Sequence, residues 1–169
     1  MRRRFDMSIE LVRGNIANQP DLDAVVNAAN AQLMPGGGVA GALHSAAGPQ
    51  LAEACRPMAP IHPGEAVITE AFDLPNRWVI HVLGPRYGLD EPAARLLADG
   101  YRNALRLAEE NDIKSIGFPA LSAGAFGYPL EEAARIAFET VSAHAPSDLL
   151  VRFVLFDQRA LEVFQRLAE

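Results

Sequence analysis

Two glycine-containing segments have the residue types and spacing needed to hold an anion with the main chain. The first, MPGGGV at residues 34–39, opens a segment with helical spacing, and the second, LSAGAFGY at residues 121–128, precedes another. Glycine lets backbone amides approach a ligand closely. The first turn of a helix adds free N–H groups and a partial positive charge. Together the two segments predict a cradle for a diphosphate.

Neither glycine segment contains a basic residue, and this limits the kinds of phosphate site that they can form. Neither contains Lys or Arg, and no GxxxxGK[ST] motif occurs, so a Mg-dependent nucleotide hydrolase is not supported. Residues 36–41, GGGVAG, match GxGxxG, but seven residues separate them from the preceding apolar run at residues 23–28. No acidic residue ends a second strand at the distance that a dinucleotide-binding fold requires. A Rossmann oxidoreductase is therefore disfavoured, and a diphosphate held by amides alone is favoured.

The segments that must position these loops alternate between strand and helix patterns. Strands are predicted at residues 8–13, 23–28, 65–71, 78–83, 115–120 and 149–156. Helices are predicted at residues 38–47, 91–111 and 129–144, with a last helix capped by Asp157. This alternation predicts one α/β domain over residues 1–169 with a largely parallel sheet. The strands at 65–71 and 78–83, separated by a Pro-Asn turn, are expected to pair.

Composition and charge exclude several classes of protein. Half of the 169 residues are apolar, as in an ordinary globular domain, and the formal net charge is −6. A generic nucleic-acid or anionic-membrane binder would carry a basic face, so neither partner is expected. The basic start at residues 2–4 is not followed by the apolar stretch of an export signal, and no membrane span is expected. One Cys and four His with no CxxC or HxxxH spacing predict no zinc site and a cytoplasmic protein.

Four motifs in order resemble the macrodomain family, a family of ADP-ribose-binding modules. They are VRGNI at residues 12–16, VVNAAN at 25–30 with GGGV at 36–39, IHVLGP at 80–85, and FPALSAGAFG at 118–127. The resemblance covers most of the chain and implies a three-layer α/β/α sandwich around a mixed, largely parallel sheet. It implies ADP-ribose or an ADP-ribosylated protein as the partner and no cofactor or metal, and it leaves the oligomeric state open.

The resemblance also implies a set of ligand-binding residues. Asn15 stands where an Asp usually accepts a hydrogen bond from the adenine amino group, and Asn30 matches an Asn at the distal ribose. The first glycine segment is expected to line that ribose and a phosphate, and the second to wrap the diphosphate, with Phe126 beside the ribose. The full predicted set is Asn15, Ile16, Asn30, Gly37, Gly38, Val39, Ser122, Ala123, Gly124, Ala125 and Phe126.

Two departures from the family pattern concern proton transfer. The related hydrolases have GGGVDG, and the Asp is thought to help activate water, whereas this sequence has Ala40 there. Some viral-type hydrolases also have Ala but carry a His just before the glycines, where this sequence has Pro35. The remaining catalytic candidates are Asn30 and His44, which lies at i+4 from Ala40 and so on roughly the same helix face. The structural alternatives are a turn-forming role for Asn30 and, for His44, a structural role in which its ring donates to a backbone carbonyl.

Three functions follow from the resemblance. The first is hydrolysis of an ADP-ribosyl ester, either on a protein Asp or Glu or in O-acetyl-ADP-ribose, by water positioned against a substrate phosphate. The second is a non-catalytic reader or sensor of ADP-ribose, for which the missing proton-handling groups are no loss. The third and weaker is a phosphatase acting on ADP-ribose 1″-phosphate.

Four other residues with reactive or aromatic side chains are expected in the core rather than in the site. His81, within an apolar strand, is predicted to be a hydrogen-bonded core histidine. Cys55 is predicted to pack as a small apolar side chain, and Trp78 and Tyr101 as core aromatics.

Overall fold

A six-stranded sheet organises residues 8–169, which are the residues that the computed structural model describes. Its strands are β1 (Ile9–Arg13), β2 (Ala24–Ala28), β3 (Ala66–Glu70), β4 (Trp78–Val82), β5 (Ser115–Phe118) and β6 (Leu150–Leu155). Their order across the sheet is β1-β6-β5-β2-β4-β3. Only β3 and β4 pair antiparallel among these neighbours. The predicted mixed, largely parallel sheet and the predicted pairing of its two strands are confirmed.

Helices cover both faces of the sheet. They are α1 (Gly38–Ala47), α2 (Gln50–Cys55), α3 (Ala93–Glu110), α4 (Leu130–His144) and α5 (Gln158–Ala168), with a 3₁₀ turn at Arg56–Met58. Because side chains alternate along a strand, Val26 of β2 lies in the core layer under α3, α4 and α5, and Val25 lies in the layer under α1 and α2. Both residues are fully buried. The three-layer α/β/α sandwich is therefore confirmed.

Two details differ from the sequence expectation. Helix α2 begins directly after Pro49, whereas the pattern treats Gly48-Pro49 only as the end of α1. Gly48 has a φ of 87°, which turns the chain, and Pro49 then leads into the new helix. The prediction of Trp78 as a core residue is wrong in the extent of burial, because this residue starts β4 and is only half-buried. The guanidinium of Arg77 lies 5.3 Å from the centroid of its ring. Tyr101 is fully buried, as predicted.

His81 is a core histidine whose ring nitrogens both have partners, as predicted. Thr69 donates its hydroxyl proton to the Glu70 carbonyl, 2.9 Å away, and so accepts at 3.0 Å from Nε2–H of His81. Nδ1 is then the acceptor for the side-chain amide of Asn27 at 3.1 Å. The Cys55 thiol also lies 3.6 Å from Nε2. The network fixes a neutral imidazole, and burial lowers the pKa of His81 from 6.5 to about 3.

Acid should therefore weaken the fold through His81. The unfolded state binds a proton at this residue below about pH 6.5 and the folded state only near about pH 3, so the free energy of unfolding falls by up to about 1.4 kcal/mol per pH unit between these values. Urea unfolding of the wild type at about pH 7 and about pH 5 should show this slope. The slope should be smaller in His81→Gln and unchanged in His144→Gln, which removes an exposed imidazole. Equal slopes in all three proteins would contradict the assignment.

Candidate functional site

The two glycine segments meet at one edge of the sheet. Strands β1, β6, β5, β2 and β4 run parallel, so their carboxyl ends share this edge. The segments that follow them are residues 14–23, 156–157, 119–129, 29–37 and 83–92, respectively. The first glycine segment thus follows β2 and leads into α1, and the second follows β5 and leads into α4. This is the edge at which open α/β sheets bind ligands.

Asn30 shapes the first segment from within. Its Oδ1 accepts from the Met34 amide at 3.0 Å, and its Nδ2 donates to the Met34 carbonyl at 2.8 Å. The Leu33 amide in turn donates to the Asn30 carbonyl at 3.0 Å, and Leu33 has a φ of 58°. The loop-forming role that the sequence allowed for Asn30 is therefore present. Contact with a ligand remains a prediction.

The start of α1 is open to an anion. Gly37 is the N-cap residue and makes no side-chain cap, so no side chain occupies the amides of the first turn. Beta-carbons built on Gly37 and Gly38 would meet no atom within 4 Å, so both residues face open space. On Gly41, in contrast, a methyl group would overlap the carbonyl oxygen of Gly36. Glycine at position 41 therefore lets the loop lie directly against α1.

The second segment is anchored by Tyr101 at its base. The Tyr101 hydroxyl accepts from the Leu121 amide at 3.1 Å and lies 3.4 Å from the Pro119 carbonyl, to which it donates. Further along, the Tyr128 amide donates to the Ser122 carbonyl at 2.9 Å, which closes the loop. The chain at Gly124 and at Ala125 is exposed between these two anchor points. A ligand can therefore reach its main chain.

Ser122 joins the second segment to the end of β4. Its hydroxyl donates to the Pro85 carbonyl at 2.7 Å, and its φ is 67°, a left-handed conformation. A methyl group on Gly84 would overlap this hydroxyl oxygen. The Ser122 side chain is therefore occupied, and only the main chain of this residue is free to meet a ligand. The role of Gly84 cannot be seen in the sequence, because it depends on a contact between residues 38 positions apart.

One residue from each segment faces the same core layer. Val39 and Phe126 are both half-buried and pack against the cluster under α1 and α2. Ala123 is also half-buried, but it packs against the opposite cluster. The two glycine segments therefore both lie on the α1 side of the sheet edge, and we name the surface between them the cleft.

The same edge of the sheet continues past β5 to the ends of β6 and β1. The Gly14 amide donates to the Leu155 carbonyl at 2.9 Å, which sets Asn15 next to Phe156. Phe156 is 89% exposed, more than any other large apolar side chain in the described part of the protein. Sequence reasoning missed it because it ends an apolar strand pattern. Ile16 is buried in the core, so a ligand could contact only its main chain.

The loop that carries Asn15 is tied to the sheet by a half-buried cation. Arg152 donates to Gln19 at 2.9 Å, and Gln19 donates to the Asn15 carbonyl at 3.0 Å. Arg152 also forms a two-bond ion pair with Asp21, at 2.9 and 2.7 Å, and a further bond to Glu10 at 2.8 Å. The hydrogen bonds from Arg152 lower the pKa of Asp21 to about 2. The main chain at Asn15 is therefore held in place.

The predicted catalytic candidate His44 lies below the cleft surface. It is only 6% exposed, and its ring centroid is 6.5 Å from that of His81. Neither ring nitrogen has a hydrogen-bond partner within residues 8–169, and burial lowers the pKa of the ring. Ala40, one turn earlier, is also buried. A proton-transfer role for His44 remains a prediction that this placement does not favour.

The one basic side chain between Pro85 and α3, that of Arg86, is paired with a neighbouring carboxylate. Arg86, which follows Pro85, donates from its main chain and from two guanidinium nitrogens to Asp90, at 2.8, 3.0 and 3.1 Å.

Across residues 8–169, no three His, Cys, Asp or Glu side chains are grouped so that they could hold a metal. No helix within that range is long and apolar enough to cross a membrane.

Comparison with known proteins agrees with this geometry. The Macro domain family matches residues 26–137. The chain belongs to that family. It is 47% identical over 167 residues to an O-acetyl-ADP-ribose deacetylase of Enterobacter cloacae, covering 94% of this chain and 92% of that protein. It is also 46% identical over 162 residues to a macro domain-containing protein of Streptomyces coelicolor, covering 92% and 95%.

Solved macrodomain structures share the fold. The Oceanobacillus iheyensis macrodomain with ADP has a TM-score of 0.90 and 40% identity, with 94% of this chain and 88% of that chain covered. The Trypanosoma brucei macrodomain in complex with ADP-ribose has a TM-score of 0.89 and 35% identity, with 99% and 72% covered.

The contact between Gly84 and Ser122 in this macrodomain can be tested by a double-mutant cycle. Gly84→Ala should destabilise the protein because its methyl group meets the Ser122 oxygen, and Ser122→Ala should lose about 1 kcal/mol with its hydrogen bond. The double variant should be about 1 kcal/mol more stable than the sum of the two single effects predicts, because the oxygen that the methyl group would overlap is gone. Urea unfolding measures all four proteins. Gly124→Ala, built into open space at a residue without a positive φ, is the control that should not destabilise the protein, and additive effects of the two test substitutions would contradict the contact.

Proposed function

We propose that this macrodomain binds ADP-ribose in the cleft and hydrolyses an ester at the distal ribose. The observation that carries the proposal is the pair of glycine segments at one sheet edge, both with exposed main chain and the first with an uncapped helix start. The relatives named O-acetyl-ADP-ribose deacetylase and the neighbours solved with ADP and ADP-ribose support it. In this proposal the whole site uses main-chain donors for the diphosphate.

The diphosphate lies between the two loops. Amides of Gly37, Gly38 and Val39 and of residues 122–126 donate to its oxygens, and the positive end of α1 stabilises its charge. No lysine or arginine is present in either segment to compete for this role. Phosphate recognition therefore depends on the shape of the main chain, which Asn30, Tyr101 and Ser122 hold.

The two ends of the ligand reach different parts of the cleft. The purine stacks on the exposed ring of Phe156, with its edge toward Asn15. The distal ribose lies near Asn30 and Phe126, at the opposite end. The acyl group on that ribose then faces solvent, where a modified protein or an acetyl group can be accommodated.

Hydrolysis in this cleft relies on positioning. A water held by a phosphate oxygen of the substrate attacks the acyl carbon, the bond from that carbon to the ribose oxygen breaks, and the ribose oxygen takes up a proton. Ala40 and Pro35 supply no general base, a loss typically worth about 10²–10⁴-fold. Positioning alone contributes several kcal/mol to barrier reduction, so the proposed enzyme is slow but active. His44, buried and neutral, takes no part.

A second candidate function is a non-catalytic reader of ADP-ribosylated proteins. The side chains at Ala40 and Pro35 favour it, since neither can transfer a proton and neither is needed for binding. In either case the partner is ADP-ribose or an ADP-ribosylated protein. We also propose a cytoplasmic location, because the single cysteine, Cys55, cannot form a disulfide within the chain, as suits a reducing compartment.

The enzyme and the reader differ in one assay. Wild-type protein should release ADP-ribose from a glutamate-ADP-ribosylated protein and acetate from O-acetyl-ADP-ribose. Asn30→Ala should slow both reactions by about 10- to 100-fold, because the first loop loses the clamp on Met34. Asn18→Ala, an exposed change elsewhere at the same edge, should not. Release no faster than the spontaneous rate, together with clear ADP-ribose binding, would rule out the enzyme and leave the reader.

The role of His44 is tested by His44→Leu. The substitution removes two buried nitrogens that have no partner in the described structure, so the free energy of unfolding should stay equal or rise. The hydrolysis rate should stay within about threefold of the wild type, since no step uses this ring. A stable His44→Leu protein whose rate falls by about 10²-fold or more would show that the ring does transfer a proton.

A further inference from the structure

The side-chain amide of Asn15 has a fixed orientation. The Ala17 amide lies 2.9 Å from one end of it and needs an acceptor, so that end is Oδ1. The other end is then the NH₂ group, which makes no hydrogen bond within residues 8–169, and Asn15 is exposed. The end of this side chain that is free for a ligand is therefore a hydrogen-bond donor.

The main chain beneath this amide is rigid. The Asn15 carbonyl accepts from the Asn18 amide at 2.9 Å and from the Gln19 side chain at 3.0 Å. Gln19 is held by Arg152, and its own carbonyl accepts from Asn76 at 2.8 Å. Turning the Asn15 amide around would leave the Ala17 N–H facing an NH₂ group. The donor therefore stays directed away from the main chain.

The neighbouring strand provides a surface for a base. Arg13 of β1 pairs with Leu155 of β6, so Asn15 and Phe156 follow adjacent strand ends. A purine lying on the Phe156 ring presents its edge to Asn15. Adenine offers an amino group at position 6, which is a donor, whereas hypoxanthine and guanine offer an oxygen, which is an acceptor.

We propose that Asn15 makes this macrodomain accept 6-oxopurine diphosphate ligands, such as the hypoxanthine analogue of ADP-ribose, at least as well as the adenine form. The inference rests on the proposed function, because it assumes that the base end of the ligand lies at Phe156. An NH₂ group facing O6 of a 6-oxopurine forms a hydrogen bond, whereas facing adenine it can donate only to a ring nitrogen beside the amino group, so this amide does not select against the oxo form. The near-isosteric Asp would keep the Ala17 bond with one oxygen and present an acceptor with the other, which selects adenine.

The test is calorimetric titration of ADP, IDP and ADP-ribose into three proteins. They are the wild type, Asn15→Asp and Asn18→Asp, which adds the same charge at an exposed position three residues further along the same loop. The wild type should bind IDP at least as tightly as ADP. Asn15→Asp should prefer ADP by about tenfold or more, and Asn18→Asp should keep the wild-type ratio. The ratio of the two affinities cancels the general effect of the added charge on the diphosphate.

The outcomes separate this inference from the proposed function. ADP-ribose binding with a tenfold preference for ADP in the wild type, or with the same ratio in Asn15→Asp, overturns the inference alone. Failure of the wild type to bind ADP-ribose and both nucleotides overturns the proposed function and the inference with it. If Asn15→Asp does not fold, the ratio of IDP to ADP affinity in the wild type still tests the inference, because a tenfold preference for ADP would overturn it.

Discussion

The close approach of main chain to main chain at the carboxyl edge of the sheet is the constraint on which the cleft depends. The first loop lies against α1 because position 41 has no side chain, and the second lies against the end of β4 because position 84 has none. An amide donor cannot be redirected by a side-chain rotation, so its position is set by the path of the chain. Three side chains hold the loops in this path by hydrogen bonds to loop main chain: those of Asn30, Tyr101 and Ser122.

The helices and strands were predictable where their burial leaves a pattern in the sequence. A strand covered on both faces is a continuous apolar run, and a helix buried on one face has apolar residues at helical spacing. Strands β2 and β6 are apolar runs because helices cover both faces, and α3 shows its buried stripe directly. Helix α2 was not predictable, because the Gly48-Pro49 pair signals an end and gives no sign of a new start. The half-burial of Trp78 follows from its place at a strand end, which the local pattern does not contain.

The sequence predicts the two loops of the candidate site, but it does not predict the contacts that hold these loops in place. Glycine runs between strand and helix patterns show where main chain is available, and they identify both segments. The contacts of Gly84 with Ser122, of Tyr101 with Leu121 and of Arg152 with the Asn15 loop join residues far apart in sequence. Phe156 has the same residue type as its apolar neighbours and differs only in exposure. For His44, the helical spacing places the side chain on a face without saying whether that face is open, and the structure buries it.

The central claim is that main-chain amides hold the diphosphate without a cationic side chain, and the salt dependence of ADP-ribose binding tests it most directly. Calorimetric titration between about 0.05 M and about 0.5 M NaCl compares weak with strong screening of exposed charges. The association constant should change by less than about threefold, because no exposed lysine or arginine is paired with the phosphates. A fall of about tenfold or more, of the kind that cation-held phosphates show, would contradict it.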